Sequence, residues 1–403
     1  MAYDRILNFS PDASPAGVNG ARPLRTLVLA GCAHALHDGY TDLIYVLLPV
    51  WQAEFKLSYG LLAVLRGVYT GTMAGLQIPA GRLAERLGGS VVLGVGTALA
   101  AFGYALAGSS GGLLGLIAGL ALSGAGSSTQ HPIASAAVAR AYRGAARGPL
   151  GTYNFTGDLG KAALPALIAV LLTLMPWRGA LWLLSGLGLM VAAAIALLLP
   201  PVGRPQPLMY SQDVKQAAAG RGFLLLFAIG VLDSAVRMGL LTFLPFLLKS
   251  KGAALPTVGL GLALVFMGGA AGKFAFGWLG ARIGVLGTVL LTEGGTAAAI
   301  LGILDLPLAP SLMVLPALGV MLNGTSSVLY GTVPELAAPG RAERAFAIFY
   351  TGTIGSGAVA PVFYGVLGDA VGVGWATAAT ALTALATIPL ALALAPRLGG
   401  DRR

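Results

Sequence analysis

The chain has 403 residues, of which 56% are hydrophobic and only 10% charged, and its mean hydropathy is +0.82. Such a surface excludes water as the main solvent, and sixty glycines suit helices that must approach closely where lipid gives no hydrophobic drive for packing. The net charge of +10 comes from Lys and Arg scattered singly between apolar stretches, which excludes a nucleic-acid partner, and the lone Cys32 excludes an intrachain disulfide or a cysteine-based metal site.

Residues 1–25 are polar, contain Pro11, Pro15 and Pro23, and read as a disordered N-terminal tail rather than a cleavable signal. A bilayer crossing needs about 20 mostly apolar residues, and the first candidate span covers 26–50. Within it, GCAHALHDGYTDLIYVLLP (31–49) places two histidines and two aspartates in an apolar segment. At about 100° per residue, His34, His37, Asp38, Thr41, Asp42 and Tyr45 share one face of roughly 140°, with Leu36, Leu43, Val46 and Leu47 opposite. Asp38 lies roughly 18 Å along a core of about 30 Å, near the midplane. Embedded carboxylates cost about 2.5–3.5 kcal/mol and usually mark ion or proton paths. Asp38 is therefore the first candidate for proton coupling, assisted by His37 or Asp42; an internal network that only fixes packing is the alternative.

Spans over 60–81 and 90–108 follow, and Arg66 in the first of them is placed to snorkel to the outer surface. The fourth span, 112–139, holds GAGSSTQHP (124–132), where Ser128, His131 and Ser135 share a face and Pro132 should bend the helix. His131 reads equally as a hydrogen-bonded core histidine and as a protonation or substrate site. In the fifth, 149–175, Asn154, Asp158, Lys161 and Pro165 fall within about 60° of one another. Asp158 and Lys161 stand one turn apart and can pair, which lowers the cost of burying both. The sixth, 179–200, completes an N-terminal half (26–200), and a polar linker (201–221) follows.

The seventh span, 222–248, carries Asp233 and Arg237 at i, i+4, again able to pair and again candidates for substrate contact. Lys273 in the eighth (256–280) should face the interior, whereas Glu293 in the ninth (285–304) reads as structural. Spans at 309–333, 342–367 and 372–395 complete a C-terminal half (222–395), followed by a tail (396–403). With the N-terminus cytoplasmic, the inner segments hold 17 Lys and Arg and the outer loops 4, which places both termini and the linker in the cytoplasm.

An offset of 196 residues aligns Pro49 with Pro245, Gly81 and Arg86 with Gly277 and Arg282, and Pro165 with Pro361. TGDLGKAALP (156–165) also parallels TGTIGSGAVAP (351–361). Under the offset, Asp233 and Arg237 match His37 and Thr41, so both halves offer polar groups to a central cavity. Paired repeats of this kind mark secondary transporters, whose substrate site lies between the halves.

GRLAERLGG (81–89) resembles the loop signature of the major facilitator superfamily, with Gly81, Glu85, Arg86 and Gly88 in the places of its glycine, acid, arginine and second glycine. The sequence departs from that pattern in having Glu85 for the usual aspartate and Gly89 and Ser90 for the usual basic residues. Its second copy, GWLGARIG (277–284), keeps Gly277, Arg282 and Gly284 but has Ala281 at the acidic place. The His/Asp stretch of the first span, GAGSSTQHP and TGDLGKAALP resemble the fosmidomycin-resistance type of efflux protein within that superfamily.

The resemblance implies an all-α membrane protein of twelve transmembrane helices in two pseudo-symmetric six-helix halves, monomeric, multi-pass in the cytoplasmic (inner) membrane. It implies alternating-access, proton-driven export of a small organic solute or drug, with Gly81, Glu85, Arg86 and Gly88 as a gating loop. Proton coupling is expected at Asp38, His37, Asp42 and Asp158, and substrate contact at Tyr45, His131, Asn154, Lys161, Asp233, Arg237 and Lys273. Uptake of an organic anion is the nearest alternative, and a non-transporting membrane sensor a remote one. No HExxH, Walker loop or strand-borne GxGxxG occurs, so neither an enzyme nor a cofactor or metal is expected.

Overall fold

The computed structural model describes residues 21–142, 145–201, 220–337 and 342–398, nearly all of them helical. In chain order the helices are α1 (Ala21–Phe55), α2 (Tyr59–Leu87), α3 (Gly89–Ser109), α4 (Leu113–Ser127), α5 (Gln130–Tyr142) and α6 (Arg147–Leu174). They continue with α7 (Trp177–Leu198), α8 (Arg221–Ser250), α9 (Leu255–Asp305), α10 (Leu308–Leu336), α11 (Ala342–Val371) and α12 (Val373–Leu398). Nine of the described helices are long and apolar enough to cross a membrane by length and composition. Most of the expected tail and linker, and residues 399–403, lie outside the described residues.

Two elements differ from the expected spans. The fourth span is two helices, α4 and α5, separated at Ser128 and Thr129, because Pro132 cannot donate to the carbonyl of Ser128 and its ring crowds that carbonyl. Ser128 and Thr129 instead turn their hydroxyls back onto the carbonyls of Ala125 and Gly126, at 2.7 and 3.0 Å. The eighth and ninth spans run on as the single helix α9, which kinks at Gly284 (φ 72°). Gly284 is 196 residues beyond Gly88 (φ 92°), which ends α2. Lys56 (φ 52°) and Gly252 (φ 89°), the residues that turn the chain after α1 and α8, are related by the same offset. The repeat thus extends to backbone conformation, at positions where a side chain is strained and glycine is favoured.

Within the N-terminal half, α1 lies directly on α6: a Cβ added to Gly160 would stand 1.9 Å from the Ala35 carbonyl oxygen. The halves meet at the end of the bundle away from the termini. There a Cβ on Gly365 of α11 would come within 2.8 Å of Gly60 Cα in α2, and one on Gly259 of α9 within 2.4 Å of Ala169 Cβ in α6. The Asp369 carboxylate of α11 accepts hydrogen bonds from the Tyr59 and Gly60 amides at the start of α2, at 2.6 and 3.0 Å. Toward the termini the halves part, and a Cβ on Gly81, Gly148, Gly277 or Gly331 would meet nothing within 4 Å.

Candidate functional site

Between the halves lies a cavity of about 230 Å³. The N-terminal half contributes Asp38, Asp42, Arg66, His131, Asp158 and Lys161 to its wall, and the C-terminal half Asp233, Arg237, Lys273, Asn323, Tyr330 and Tyr350. Four carboxylates face four Lys and Arg cations across a space that is otherwise largely apolar, so fixed charge is nearly balanced there.

Asp38 is the hub. It is buried in α1, with Lys161 Nζ at 3.2 Å and His34 Nε2 at 3.3 Å from its Oδ2, and His131 Nε2 at 3.8 Å from Oδ1. The partners come from one turn back on α1, from α5 and from α6, so three elements converge on one carboxylate. His34 donates from Nδ1 to the Tyr153 carbonyl at 2.8 Å and stacks on the Tyr153 ring, which fixes its orientation. Donor atoms of His34, Asp38 and His131 lie within 4.8 Å of one another, a set that could hold a metal ion, but the Lys161 ammonium already stands on the same Asp38 oxygen.

The pairing expected within α6 is replaced by pairing across helices. Asp158 receives a hydrogen bond from Lys273 of α9 at 2.6 Å, joining the two halves, while Lys161 turns to Asp38. One turn of helix brings Asp158 and Lys161 to one face, but neighbouring helices offer each a better-placed partner. Asp233 and Arg237 do pair along α8, at the cavity wall. Asp42, also on the wall and buried, has no ion pair among the described residues.

Three expected site residues lie off the main cavity. His37 is buried with Nε2 unpartnered, its ring 5.1 Å from that of His131, and it lines a separate crevice with Tyr40 and Thr97. Tyr45 is fully buried in the core, with the Arg66 guanidinium over its ring at 4.5 Å. Asn154 is exposed and does not form part of the cavity wall. Gly81, Glu85, Arg86 and Gly88 sit at the end of α2, where Gly88 terminates the helix and neither Glu85 nor Arg86 has an ion-pair partner among the described residues.

One charged residue stands differently from its sequence reading. Arg66 does not snorkel to the surface: it is 2% exposed and lines the cavity. Glu293 is equally enclosed, at 3% exposure, and accepts a hydrogen bond from the Thr325 hydroxyl at 2.7 Å. For Arg66 the available signal was the absence of any similar residue nearby in α2: a single embedded arginine usually faces a bundle interior.

A family model described as Major Facilitator Superfamily matches residues 30–232. No curated protein sequence matches the chain. Among solved structures, a bacterial homologue of the human lysosomal transporter Spinster, in an inward-facing and occupied conformation, superposes with a TM-score of 0.76 at 16% identity, covering 94% of this chain and 97% of that one. A point mutant of the nucleoside transporter NupG gives 0.77 at 10% identity (92% and 99% covered), and a point mutant of the peptide transporter POT gives 0.76 at 17% (95% and 96% covered). At these identities the likeness is one of fold.

Proposed function

The chain belongs to the major facilitator superfamily, and from that premise we propose that it is a proton-coupled secondary transporter moving a small organic solute through twelve helices by alternating access. The reading places it in the cytoplasmic membrane with both termini inside, as a monomer of the fosmidomycin-resistance type. One observation carries the coupling: Asp38 stands on the wall of a cavity built by both halves, with Lys161, His34 and His131 gathered on its two oxygens. A proton arriving at Asp38 cancels the charge that holds Lys161, so the ammonium is released toward the cavity. The altered charge biases the balance between the two facing states. Asp42 and Asp158 offer further proton positions, and Lys273 and Arg237 line the solute's path from the other half.

Direction depends on what shares the hub. A solute that takes Asp38 for itself competes with the proton, which gives antiport and export, as the sequence resemblance implies. A solute anion that takes Lys161 binds together with the proton, which gives uptake. The 3.2 Å contact between Lys161 and Asp38 favours this second reading for anionic solutes.

The test is Asp38→Asn in proteoliposomes carrying an imposed pH gradient. The variant is expected to purify monodisperse and to lose gradient-driven accumulation of any solute that the wild type accumulates. Undiminished accumulation would remove Asp38 from the coupling role. Solute-induced proton movement, read with a trapped pH dye in right-side-out and inverted vesicles, separates export from uptake.

A further inference from the structure

Each other cation on the cavity wall is held by a carboxylate: Lys161 by Asp38, Lys273 by Asp158 and Arg237 by Asp233. Arg66 is the exception. Among the described residues no Asp or Glu oxygen lies within 4.0 Å of it, although it is 2% exposed. Its guanidinium lies over the Tyr45 ring at 4.5 Å, one terminal nitrogen donates to the Met238 sulfur at 3.5 Å, and Nε has no partner. A thioether is a weak acceptor, so most of the fork's donor capacity is unused. A buried guanidinium with no carboxylate in contact is costly: Asp42, on the same wall, is near enough to feel its charge but makes no ion pair with it, and a cation–π contact offsets only part of the cost. The aromatic face holds the plane of the group, whose edge is left short of strong acceptors.

The position adds a second constraint. Arg66 lies just inside the closed end of the cavity, where Gly67 of α2 approaches the Ala358 carbonyl of α11. Tyr45, beneath it, is about 10 Å along α1 from Asp38 at 1.5 Å per residue. Thr70, Met73, Met238 and Leu241 border the space, and they are mainly apolar.

We propose that Arg66 is the anchor for the anionic group of the transported solute, a carboxylate or similar planar oxoanion held by the guanidinium edge, with an apolar body reaching about 10 Å toward Lys161 and Asp38. The inference rests on the reading of this cavity as the solute site and names the class of solute that it takes. The bidentate fork suits a planar oxoanion better than the point charge of a lysine would.

Equilibrium binding to the purified protein in nanodiscs, without any gradient, tests the anchor apart from proton coupling. The probes are 4-phenylbutyrate, its neutral alcohol analogue and its amine analogue, measured by calorimetry. Wild type is expected to bind the carboxylate at least tenfold tighter than the alcohol or the amine. Arg66→Gln should lose that preference and weaken carboxylate binding at least tenfold, with alcohol binding unchanged. Arg66→Lys, which keeps the charge and any folding contribution that it makes, should fall between the two. Equal carboxylate affinity in wild type and Arg66→Gln, no preference for the carboxylate in wild type, or no carboxylate binding at all would each overturn the proposal. Loss of coupling in Asp38→Asn with this preference intact would leave the anchor standing.

Discussion

Glu54 shows how a charge behaves where the chain leaves the apolar core. Its carboxylate receives Arg178 Nη2 at 2.7 Å and the Trp177 indole N–H at 2.5 Å, so the end of α1 is tied to the start of α7. Burial pushes the carboxyl up, but those two hydrogen bonds and the Arg178 charge outweigh it and leave Glu54 below its ordinary value. A carboxylate lowered in the folded state stabilises above its unfolded pKa, and that stabilisation fades as pH falls through the folded one. Glu54→Gln should therefore cost a modest amount, under about 1 kcal/mol for so exposed a pair, at pH 7. Thermal unfolding in detergent should show the wild type and the variant converging as pH falls below about 4, the ordinary carboxylate range; a gap independent of pH would contradict a charge-based role. At this scale helical periodicity yields faces but not partners. It is local, so it brings Asp38, Thr41 and Asp42 to one cavity wall. Whether Lys161 meets Asp158 or Asp38 is decided by how α1, α6 and α9 pack, which no local spacing encodes.

At the scale of elements, close packing of α1 on α6 sets where the hub lies. Gly160 stands within one turn of both Asp158 and Lys161, and its missing side chain lets the backbone of α6 reach the Ala35 carbonyl. Gly160→Ala should force the helices apart, at a cost of about 1–3 kcal/mol or more from overpacking, and widen the Asp38–Lys161 contact. Gly75→Ala is the control: it faces open space in α2 and should be neutral or slightly stabilising through helix propensity. Thermal unfolding of the two variants checks this, and equal midpoints would refute the packing argument. Element boundaries were legible where glycine or proline punctuates the chain. Pro132 announced a bend, but the break falls upstream at Ser128 and Thr129, since a proline disturbs the carbonyl four residues before it. Gly284 was legible as half of a loop signature; that α9 continues through it as a kinked helix was not, because sequence shows a glycine's freedom without the angle it adopts.

At the scale of the whole molecule, alternating access requires that the closed end open, and few polar contacts hold it shut. The 196-residue offset in the sequence recurs in the backbone at Gly88 and Gly284, but it says nothing of the facing state, since one repeat builds both states equally. In the state observed, Asp369 of α11 caps the first amides of α2, a carboxylate at a helix N-terminus supplied by the opposite half. At the level of the hub, Lys273 and Asp158 form a second link across the halves. Opening the closed end must break the Asp369 contacts and expose the α2 amides to water, which repays part of the loss. Asp369→Ala should thus shift the balance toward the state open at that end by about 1 kcal/mol, or roughly fivefold in population. Spin labels at Ala53→Cys and Gly374→Cys, in a Cys32→Ser background, report the separation of the halves there by pulsed electron resonance. A longer-distance population should grow in Asp369→Ala relative to its parent. An unchanged distribution would mean that apolar packing of Gly60 against Gly365 and of Gly259 against Ala169 closes this end unaided.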